Sequence, residues 1–247
     1  MNDAIAAAFA PGLFAGKTVL VTGGTSGIGA GIARAFVQLG ADVTVTGATV
    51  AECAGVGPDG GRAVPLDMRD EAAMTEIIGG LARLHVLVNC AGVIRRNAEH
   101  DPAVFAEVLA INLTGTMRAC ALARSRLAAE GGAIVNTASM LSFFGGGLVP
   151  GYSASKGGVA QLTKSLAIAY AADGIRVNAL APGWVATALT APLRDDAQRS
   201  GAILARTPLG RWALPEDIAG AAVFLSSPAA AYITGVVLPV DGGYLVT

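Results

Sequence analysis

The sequence has few of the residues that bind nucleic acids or metal ions. Only 14% of its 247 residues are charged, and 17 Lys and Arg are balanced by 18 Asp and Glu, so the net charge is −1. That balance provides no basic surface for nucleic acid. The cysteines Cys53, Cys90 and Cys120 form no CxxC pair, and the two histidines are His85 and His100. We therefore expect no metal site, and free thiols in a reducing, cytoplasmic compartment.

Long hydrophobic runs are also missing, although 53% of the residues are hydrophobic. The longest candidate for a membrane span, 218–240, is uncharged but is interrupted by Ser226-Ser227-Pro228 and by Gly235. It predicts a helix, a turn and a strand, so we expect no membrane span. Asp3 stands where a secretory signal would carry positive charge. Parallel strands buried on both faces are the better explanation for so apolar a chain, and helix faces buried between subunits are a second one.

Apolar runs alternate with helical patterns along the chain. We predict strands at 17–22, 42–46, 62–66, 86–89, 133–137, 176–180 and 236–240. We predict helices at 27–39, 71–81, 102–129, 152–172 and 215–225, with at most a short helix in 47–61. This alternation predicts a single α/β domain over 1–247, with a doubly wound (Rossmann) parallel seven-stranded sheet and helices on both faces. Residues 1–15 would form an N-terminal extension and 186–210 a helical lid over the substrate.

A glycine-rich turn joins the first predicted strand to the first predicted helix. It reads Thr22-Gly23-Gly24-Thr25-Ser26-Gly27-Ile28-Gly29. Glycines let the backbone approach a pyrophosphate closely, and a helix N-terminus offers free N–H groups and the positive end of its dipole. Because such loops also serve as plain turns, its place between strand and helix is what indicates dinucleotide binding.

Tyr152 and Lys156 are four residues apart and therefore share one face of a helix. A free phenol has a pKa of about 10, too high for an efficient base at neutral pH, and a nearby ammonium favours the phenolate. Ser139 follows the fifth strand and can hydrogen-bond a substrate oxygen. The pair alone also occurs on ordinary helices, so the catalytic interpretation depends on the glycine-rich turn.

Taken in order, the motifs resemble those of the short-chain dehydrogenase/reductase family over nearly the whole chain. They are T-G-x-x-x-G-x-G, Asn89-Cys90-Ala91-Gly92 for the family's N-N-A-G, Asn112, Ser139 with Tyr-x-x-x-Lys, and Pro182-Gly183 with Thr187 for P-G-x-x-x-T. Cys90 replaces the second Asn. The resemblance implies an NAD(P)-dependent oxidoreductase that interconverts a secondary alcohol and a ketone, with the tyrosine exchanging the proton as hydride passes to or from the nicotinamide.

The same resemblance implies a set of site residues. The catalytic ones are Asn112, Ser139, Tyr152 and Lys156, with Asn112 holding a water that links Lys156 to solvent. The cofactor-binding ones are Gly23, Thr25, Ser26, Gly27, Ile28, Gly29, Gly47, Asp67, Met68, Asn89, Ala91, Gly92, Tyr152, Lys156, Pro182, Gly183, Val185 and Thr187. Residues 46–49, after the second strand, contain neither an acid for a ribose 2′-hydroxyl nor a base for a 2′-phosphate, so NAD and NADP remain open.

Further segments resemble the sugar-acid branch of the family, the 2-deoxy-D-gluconate 3-dehydrogenases and gluconate 5-dehydrogenases. They are residues 91–96, 139–143, 149–150 and 198–212. Arg95 or Arg96 could bind a substrate carboxylate, or both could be solvated surface residues. An apolar cleft would instead suit a hydrophobic or cyclic ketone, and its expected lining is Phe143, Phe144, Leu148 and Trp184.

Two other functions share parts of this pattern. A 3-oxoacyl thioester (acyl-carrier-protein) reductase has the same general motifs, but it needs a basic docking surface, which the scattered charges do not obviously supply. A non-catalytic dinucleotide-binding sensor usually lacks the tyrosine or the lysine. The expected partners are a small-molecule alcohol or ketone and, by resemblance, further copies of the chain in a homotetramer.

Overall fold

The centre of the molecule is a seven-stranded parallel sheet, described by a computed structural model for residues 7–247. Its strands are β1 (Thr18–Thr22), β2 (Asp42–Gly47), β3 (Arg62–Pro65), β4 (Val86–Asn89), β5 (Ala133–Thr137), β6 (Arg176–Pro182) and β7 (Val237–Val240). Their order is β3-β2-β1-β4-β5-β6-β7. The order reverses beside β1, which pairs with β2 on one side and β4 on the other. Ligands bind at such a reversal in open α/β sheets.

Both faces of β1 are buried, which explains the continuous apolar run in the sequence. Val19 and Val21 belong to one hydrophobic cluster, and Leu20, on the opposite face, belongs to another. All three are fully buried. Alternate residues of a strand point to opposite faces, so a strand between two helical layers must be apolar at every position.

Helices cover both faces of the sheet. They are α1 (Gly27–Gln38), α2 (Val50–Ala54), α3 (Glu71–Gly79), α4 (Pro102–Leu109), α5 (Gly115–Glu130), α6 (Pro150–Tyr170), α7 (Ala191–Arg194), α8 (Ala197–Ala205) and α9 (Pro215–Ser226). Helices α1 and α9 pack on the Val19 face, and α3, α5 and α6 pack on the Leu20 face. The predicted doubly wound sheet is confirmed, and the short helix expected in 47–61 is α2.

The helix predicted at 102–129 is interrupted by a π-helical turn, Ala110–Thr114, between α4 and α5. The wider turn places the buried Asn112 side chain against the loop after β4. By length and composition alone, Pro102–Glu130 could cross a membrane. In the fold, however, Val108, Ala119 and Leu127 are packed in the interior.

The predicted N-terminal extension and lid have definite structures where they are described. Residues 1–6 of the extension lie outside the described part. Phe14 is buried, its N–H donates to the Leu39 carbonyl at 2.9 Å, and its ring packs edge-on against Phe36. In the segment 186–210, α7 and α8 follow a 3₁₀ turn at Ala188–Thr190. The role of this segment as a lid stays a prediction.

Candidate active site

A cavity of about 470 Å³ opens at the carboxyl ends of the central strands. It extends from the turn after β1 to the side chains of Tyr152 and Lys156 on α6. The predicted cofactor residues on its wall are Gly23, Thr25, Ser26, Gly27, Ile28, Gly29, Gly47, Asp67, Met68, Ala91, Gly92, Tyr152, Lys156 and Thr187. The structure therefore brings the glycine-rich turn and the tyrosine–lysine pair into one cleft.

The glycine-rich turn has room for nothing larger than glycine at its tightest points. A Cβ on Gly23 would lie 2.6 Å from the backbone of Ala91, and the φ of Gly23 is 65°, in the left-handed region. A Cβ on Gly29 would overlap the carbonyl oxygen of Gly23. The first turn of α1 contains no acidic residue and has no side-chain cap from Ser26. Its N–H groups are thus available to an anion, as binding of a pyrophosphate requires.

Lys156 is buried beneath the cavity, with 4% of its surface exposed. Its Nζ donates to the carbonyl oxygen of Thr137 at 2.6 Å, at the end of β5, and lies 5.5 Å from the centre of the Tyr152 ring. Ser139 follows β5, and its Oγ accepts from the N–H of Leu141 at 3.1 Å. Tyr152, Lys156 and Ser139 therefore meet where β5 and α6 come together.

The two titratable groups of this cluster are both shifted by burial. Burial raises the pKa of the Tyr152 phenol, hydrogen bonding by Ser139 lowers it, and the charge of Glu99 raises it. Burial lowers the pKa of Lys156 to about 8, opposed by Cys90. The sequence predicted that the lysine ammonium would favour the phenolate, whereas the net pKa shift of the tyrosine is upward. The positive charge of an oxidised nicotinamide would act in the opposite direction and favour the phenolate.

Asn112 uses its whole side chain to join neighbouring segments. Its Oδ1 accepts from the N–H of Val93 at 2.8 Å, and its Nδ2 donates to the Val93 carbonyl at 2.9 Å and to Ser155 Oγ at 3.1 Å. The water expected at Asn112 stays a prediction. The resemblance identified the residue, but not this bracing of the loop after β4 against α6.

Some predicted residues lie behind the cavity wall rather than on it. They are Asn89, Asn112, Ser139, Pro182, Gly183 and Val185. The Asn89 amide donates to Asn136 Oδ1 at 2.9 Å within the sheet. Gly183 permits close packing, since a Cβ there would lie 2.7 Å from the Cα of Asp241. These residues shape the site from outside it.

The expected apolar lining is not part of this cavity. None of Phe143, Phe144, Leu148 and Trp184 is on its wall, and Phe143 is 54% exposed. Instead, the Trp184 ring packs edge-on against Trp212 at 5.9 Å and against Tyr244 at 6.2 Å. Trp184 thus contacts other aromatic rings, and an apolar lining of a substrate cleft stays a prediction.

Four charged residues on the wall were not assigned to the cofactor site from the sequence: Glu52, Arg69, Arg95 and Glu107. Glu52 Oε2 accepts from the N–H of Ala48 at 2.8 Å, beside the end of β2. A signal was present, because Thr49 and Glu52 have the S/T-x-x-E spacing of a capping box. Arg69 pairs with Asp67 at 2.6 Å, which lowers the pKa of that carboxyl.

Arg95 and Arg96 are distinguished by the structure. Arg95 is on the cavity wall and its Nη2 lies 3.4 Å from Glu107 Oε1, whereas Arg96 is not on the wall.

Among residues 7–247, no three His, Cys, Asp or Glu side chains lie together as a metal site would require.

Known proteins resemble this chain in both sequence and structure. A family model described as Enoyl-(Acyl carrier protein) reductase matches residues 23–245. The chain is 45% identical over 241 residues to the 2-dehydro-3-deoxy-D-gluconate 5-dehydrogenase of Bacillus subtilis (strain 168), covering 93% of this chain and 95% of the relative. It is 43% identical to the cis-4-hydroxycyclohexanecarboxylate dehydrogenase of Sinomonas cyclohexanicum, covering 94% and 97%. A Beutenbergia cavernae protein, described as an NAD(P)-dependent gluconate 5-dehydrogenase and solved with bound NADP, superposes with a TM-score of 0.88 at 44% identity, covering 96% of this chain and 100% of that one.

Proposed function

This chain belongs to the short-chain dehydrogenase/reductase family, and on that premise we propose that it oxidises a secondary alcohol of a sugar acid, or reduces the corresponding ketone, with Tyr152 as its proton-transfer residue. It is an oxidoreductase of secondary alcohols and ketones that uses NAD or NADP. One observation carries the assignment of roles: the tyrosine–lysine pair and the glycine-rich turn line the same cavity.

The proposed mechanism follows from the positions of the side chains. When bound, the nicotinamide accepts or supplies the hydride. Tyr152 takes the proton of the alcohol during oxidation and returns it to the ketone oxygen during reduction. Ser139 holds that oxygen, and Lys156, with its pKa lowered to about 8 and its Nζ against the Thr137 carbonyl, provides positive charge beside the phenol. For the other residues predicted to bind the cofactor, from Gly23 to Thr187, we propose the same role as the sequence analysis gave them.

The substrate is proposed to carry a carboxylate as well as the alcohol. The names of the three relatives above share this chemistry, a carboxylic acid with an alcohol several carbons away. In this chain Arg95 follows β4 and is on the cavity wall, and a carboxylate could replace its 3.4 Å contact with Glu107. Arginine recognises carboxylates through paired hydrogen bonds.

The rival activity is the reduction of a 3-oxoacyl thioester on a carrier protein. The matching family model is described by a reductase that acts on acyl carrier protein substrates. An acidic carrier needs a cluster of unpaired basic residues at the rim of the cleft. Arg69 and Arg95, the arginines on the wall, both contact Glu107 and are therefore partly neutralised. Acetoacetyl thioesters belong in any substrate screen as the competing class.

A spectrophotometric screen of both cofactors against sugar acids, neutral polyols and acetoacetyl thioesters tests the proposal. We expect turnover with a sugar acid, and a loss of about a hundredfold to ten-thousandfold in kcat in Tyr152→Phe with cofactor binding retained. Near-full activity of Tyr152→Phe would refute the assignment. Arg95→Met should raise KM for the acid by roughly tenfold and leave neutral alcohols unchanged, whereas Arg96→Met, off the wall, is the matched control.

We also propose that the chain works as a homotetramer in the cytoplasm. Large apolar side chains are exposed on the described surface, among them Ile168 at 81%, Val246 at 85% and Tyr232, fully exposed, and contact between subunits would cover them. The three cysteines are free thiols, which suits a reducing compartment. A monomeric mass by light scattering would overturn the tetramer.

A further inference from the structure

Glu99 is a buried carboxylate that the mechanism above does not use. It lies in the 3₁₀ turn Ala98–His100, after β4, and only 1% of its surface is exposed. It takes part in none of the ion pairs found among residues 7–247. A buried charge without a counter-ion is costly unless hydrogen bonds compensate it, so its two oxygen atoms need an explanation.

Both oxygens accept backbone hydrogen bonds from the two sides of the cleft. Oε1 accepts from the N–H of Arg95 at 2.7 Å, and Oε2 accepts from the N–H of Tyr152 at 2.7 Å. Tyr152 is the third residue of α6, so its N–H has no acceptor within the helix. The residue before the helix, Val149, offers no side-chain cap. Glu99 therefore caps the helix from 53 positions away, at the end where negative charge is favourable.

Neighbouring contacts join the same two segments. The N–H of Asn97 donates to the Leu148 carbonyl at 2.8 Å, and His100 Nε2 lies 3.0 Å from the Gly147 carbonyl oxygen. Asn97 has a φ of 67°, an unfavourable conformation for a residue with a side chain. Gly151 leaves space for the carboxylate, since a Cβ there would lie 3.3 Å from Glu99 Oε2.

We infer that Glu99 is a positioning residue, which holds the Tyr152 end of α6 and the Arg95 loop in one fixed arrangement by accepting an N–H from each. The inference rests on the proposed function and deepens it. A single carboxylate then sets the distance between the group that moves the proton and the group proposed to hold the substrate carboxylate. A misplacement of about 1 Å at such a site can cost on the order of a hundredfold in rate.

The charge of Glu99 also acts on the phenol, which provides a second readout. Burial raises the pKa of Tyr152, Ser139 lowers it, and Glu99 raises it. Lys156 is a further charged group beside the phenol, with its Nζ 5.5 Å from the ring centre. During oxidation Tyr152 must be deprotonated, so removing the Glu99 charge should move the acid limb of kcat/KM to lower pH.

Two substitutions separate geometry from charge. Glu99→Gln has no charge and offers one oxygen, so we expect kcat to fall by roughly tenfold to a hundredfold and the acid limb to move to lower pH. Glu99→Asp keeps the charge but is too short to reach both N–H groups, so kcat should fall while the acid limb stays in place. Glu130→Gln is the control, because Glu130 lies beyond the opposite ends of the strands and should change neither quantity.

Three results would overturn the inference. The first is that Glu99→Gln and Glu99→Asp both keep kcat within twofold of the unsubstituted chain. The second is that Glu99→Gln loses activity equally at every pH, as a purely structural residue would.

The third result would come from hydrogen exchange. This measurement uses the unsubstituted chain, so it depends neither on the folding of a variant nor on turnover. We expect the Tyr152 amide to be protected, although the third amide of a helix ordinarily exchanges freely, and free exchange would refute the contact. Absence of turnover in the unsubstituted chain would refute the proposed function. The exchange result would then still decide whether Glu99 holds the Tyr152 N–H.

Discussion

Replacing Gly23 by alanine brings a methyl group against the backbone of Ala91, where the ends of β1 and β4 meet. The new Cβ would lie 2.6 Å from Ala91 N and Cα, at least 0.4 Å inside the 3.0 Å that Cβ atoms keep from such neighbours. The φ of 65° adds a second cost. A left-handed backbone costs an L-residue about 1–2 kcal/mol, and overpacking costs about 1–3 kcal/mol. Gly23→Ala should therefore lose about 2–5 kcal/mol of unfolding free energy.

Gly131→Ala separates the two costs. Gly131 ends α5 with a φ of 58°, and a Cβ there would meet nothing within 4 Å. Only the backbone cost of about 1–2 kcal/mol applies. Urea unfolding measures the difference, roughly 0.5–1.5 M in midpoint for a slope of about 2 kcal/mol per M. Titration with NADH measures the effect on cofactor affinity. Gly23→Ala should bind NADH at least about tenfold more weakly, a change of about 1.4 kcal/mol, and Gly131→Ala should bind it as tightly as the unsubstituted chain.

Either of two results would refute this reasoning. One is a Gly23→Ala chain no less stable than Gly131→Ala, which would mean that the contact with Ala91 relaxes without cost. The other is NADH affinity within twofold of the unsubstituted chain, which would mean that the cofactor does not approach this turn.

Three further predictions concern charge and buried polar groups. Glu52→Gln removes a negative charge beside the end of β2 that would repel a 2′-phosphate, so kcat/KM with NADPH relative to NADH should rise by about five- to tenfold. An unchanged ratio would show that the 2′ position of the cofactor does not lie near Glu52. Hydrogen bonding to Arg83 lowers the pKa of Glu130 from 4.5 to about 2, so its stabilising contribution is complete above pH 4.5 and is lost as the pH falls towards 2. The gap in urea midpoint between the unsubstituted chain and Glu130→Gln should therefore narrow between pH 5.5 and 3, and a constant gap would contradict the pair. Asn136→Ala should destabilise the chain by about 2–4 kcal/mol in urea, because the buried Asn89 amide loses its acceptor at 2.9 Å; a loss below about 1 kcal/mol would show that another partner replaces it.

The sequence was sufficient for the sheet, because each strand is recognisable locally. The runs 86–89 and 133–137 were predicted at the bounds that the structure has for β4 and β5. Strands buried on both faces are short, apolar and followed by turn residues, and all three properties belong to neighbours in sequence. The interruption at Ala110–Thr114 was missed, since a π-helical turn depends on contacts with Val93 and Ser155 that lie far away in the chain.

The candidate site was predictable where motifs carried it and not where distant contacts did. Tyr152, Lys156 and the glycine-rich turn meet as expected. In the sequence, nothing distinguishes Glu99 from other acidic residues in polar segments. Only the fold brings its carboxylate to the N–H of Tyr152. The contacts of Trp184 were not predicted either, because hydrophobicity indicates that a side chain is buried but not which neighbours cover it, and its ring packs against other aromatic rings.

The reversal of strand order beside β1 has a consequence for the newly synthesised chain. The glycine-rich turn is complete by residue 29, but its partner backbone at Ala91 follows β4, and Tyr152 comes later still. An emerging chain therefore contains the glycine-rich turn long before it can form the cavity beside it. The cavity wall extends to Leu189, so only a chain synthesised past that residue can gain the stabilisation that a ligand provides, about 2.7 kcal/mol at a hundred times its Kd. Supply of the nicotinamide cofactor would thus favour full-length molecules over truncated ones during biosynthesis and turnover.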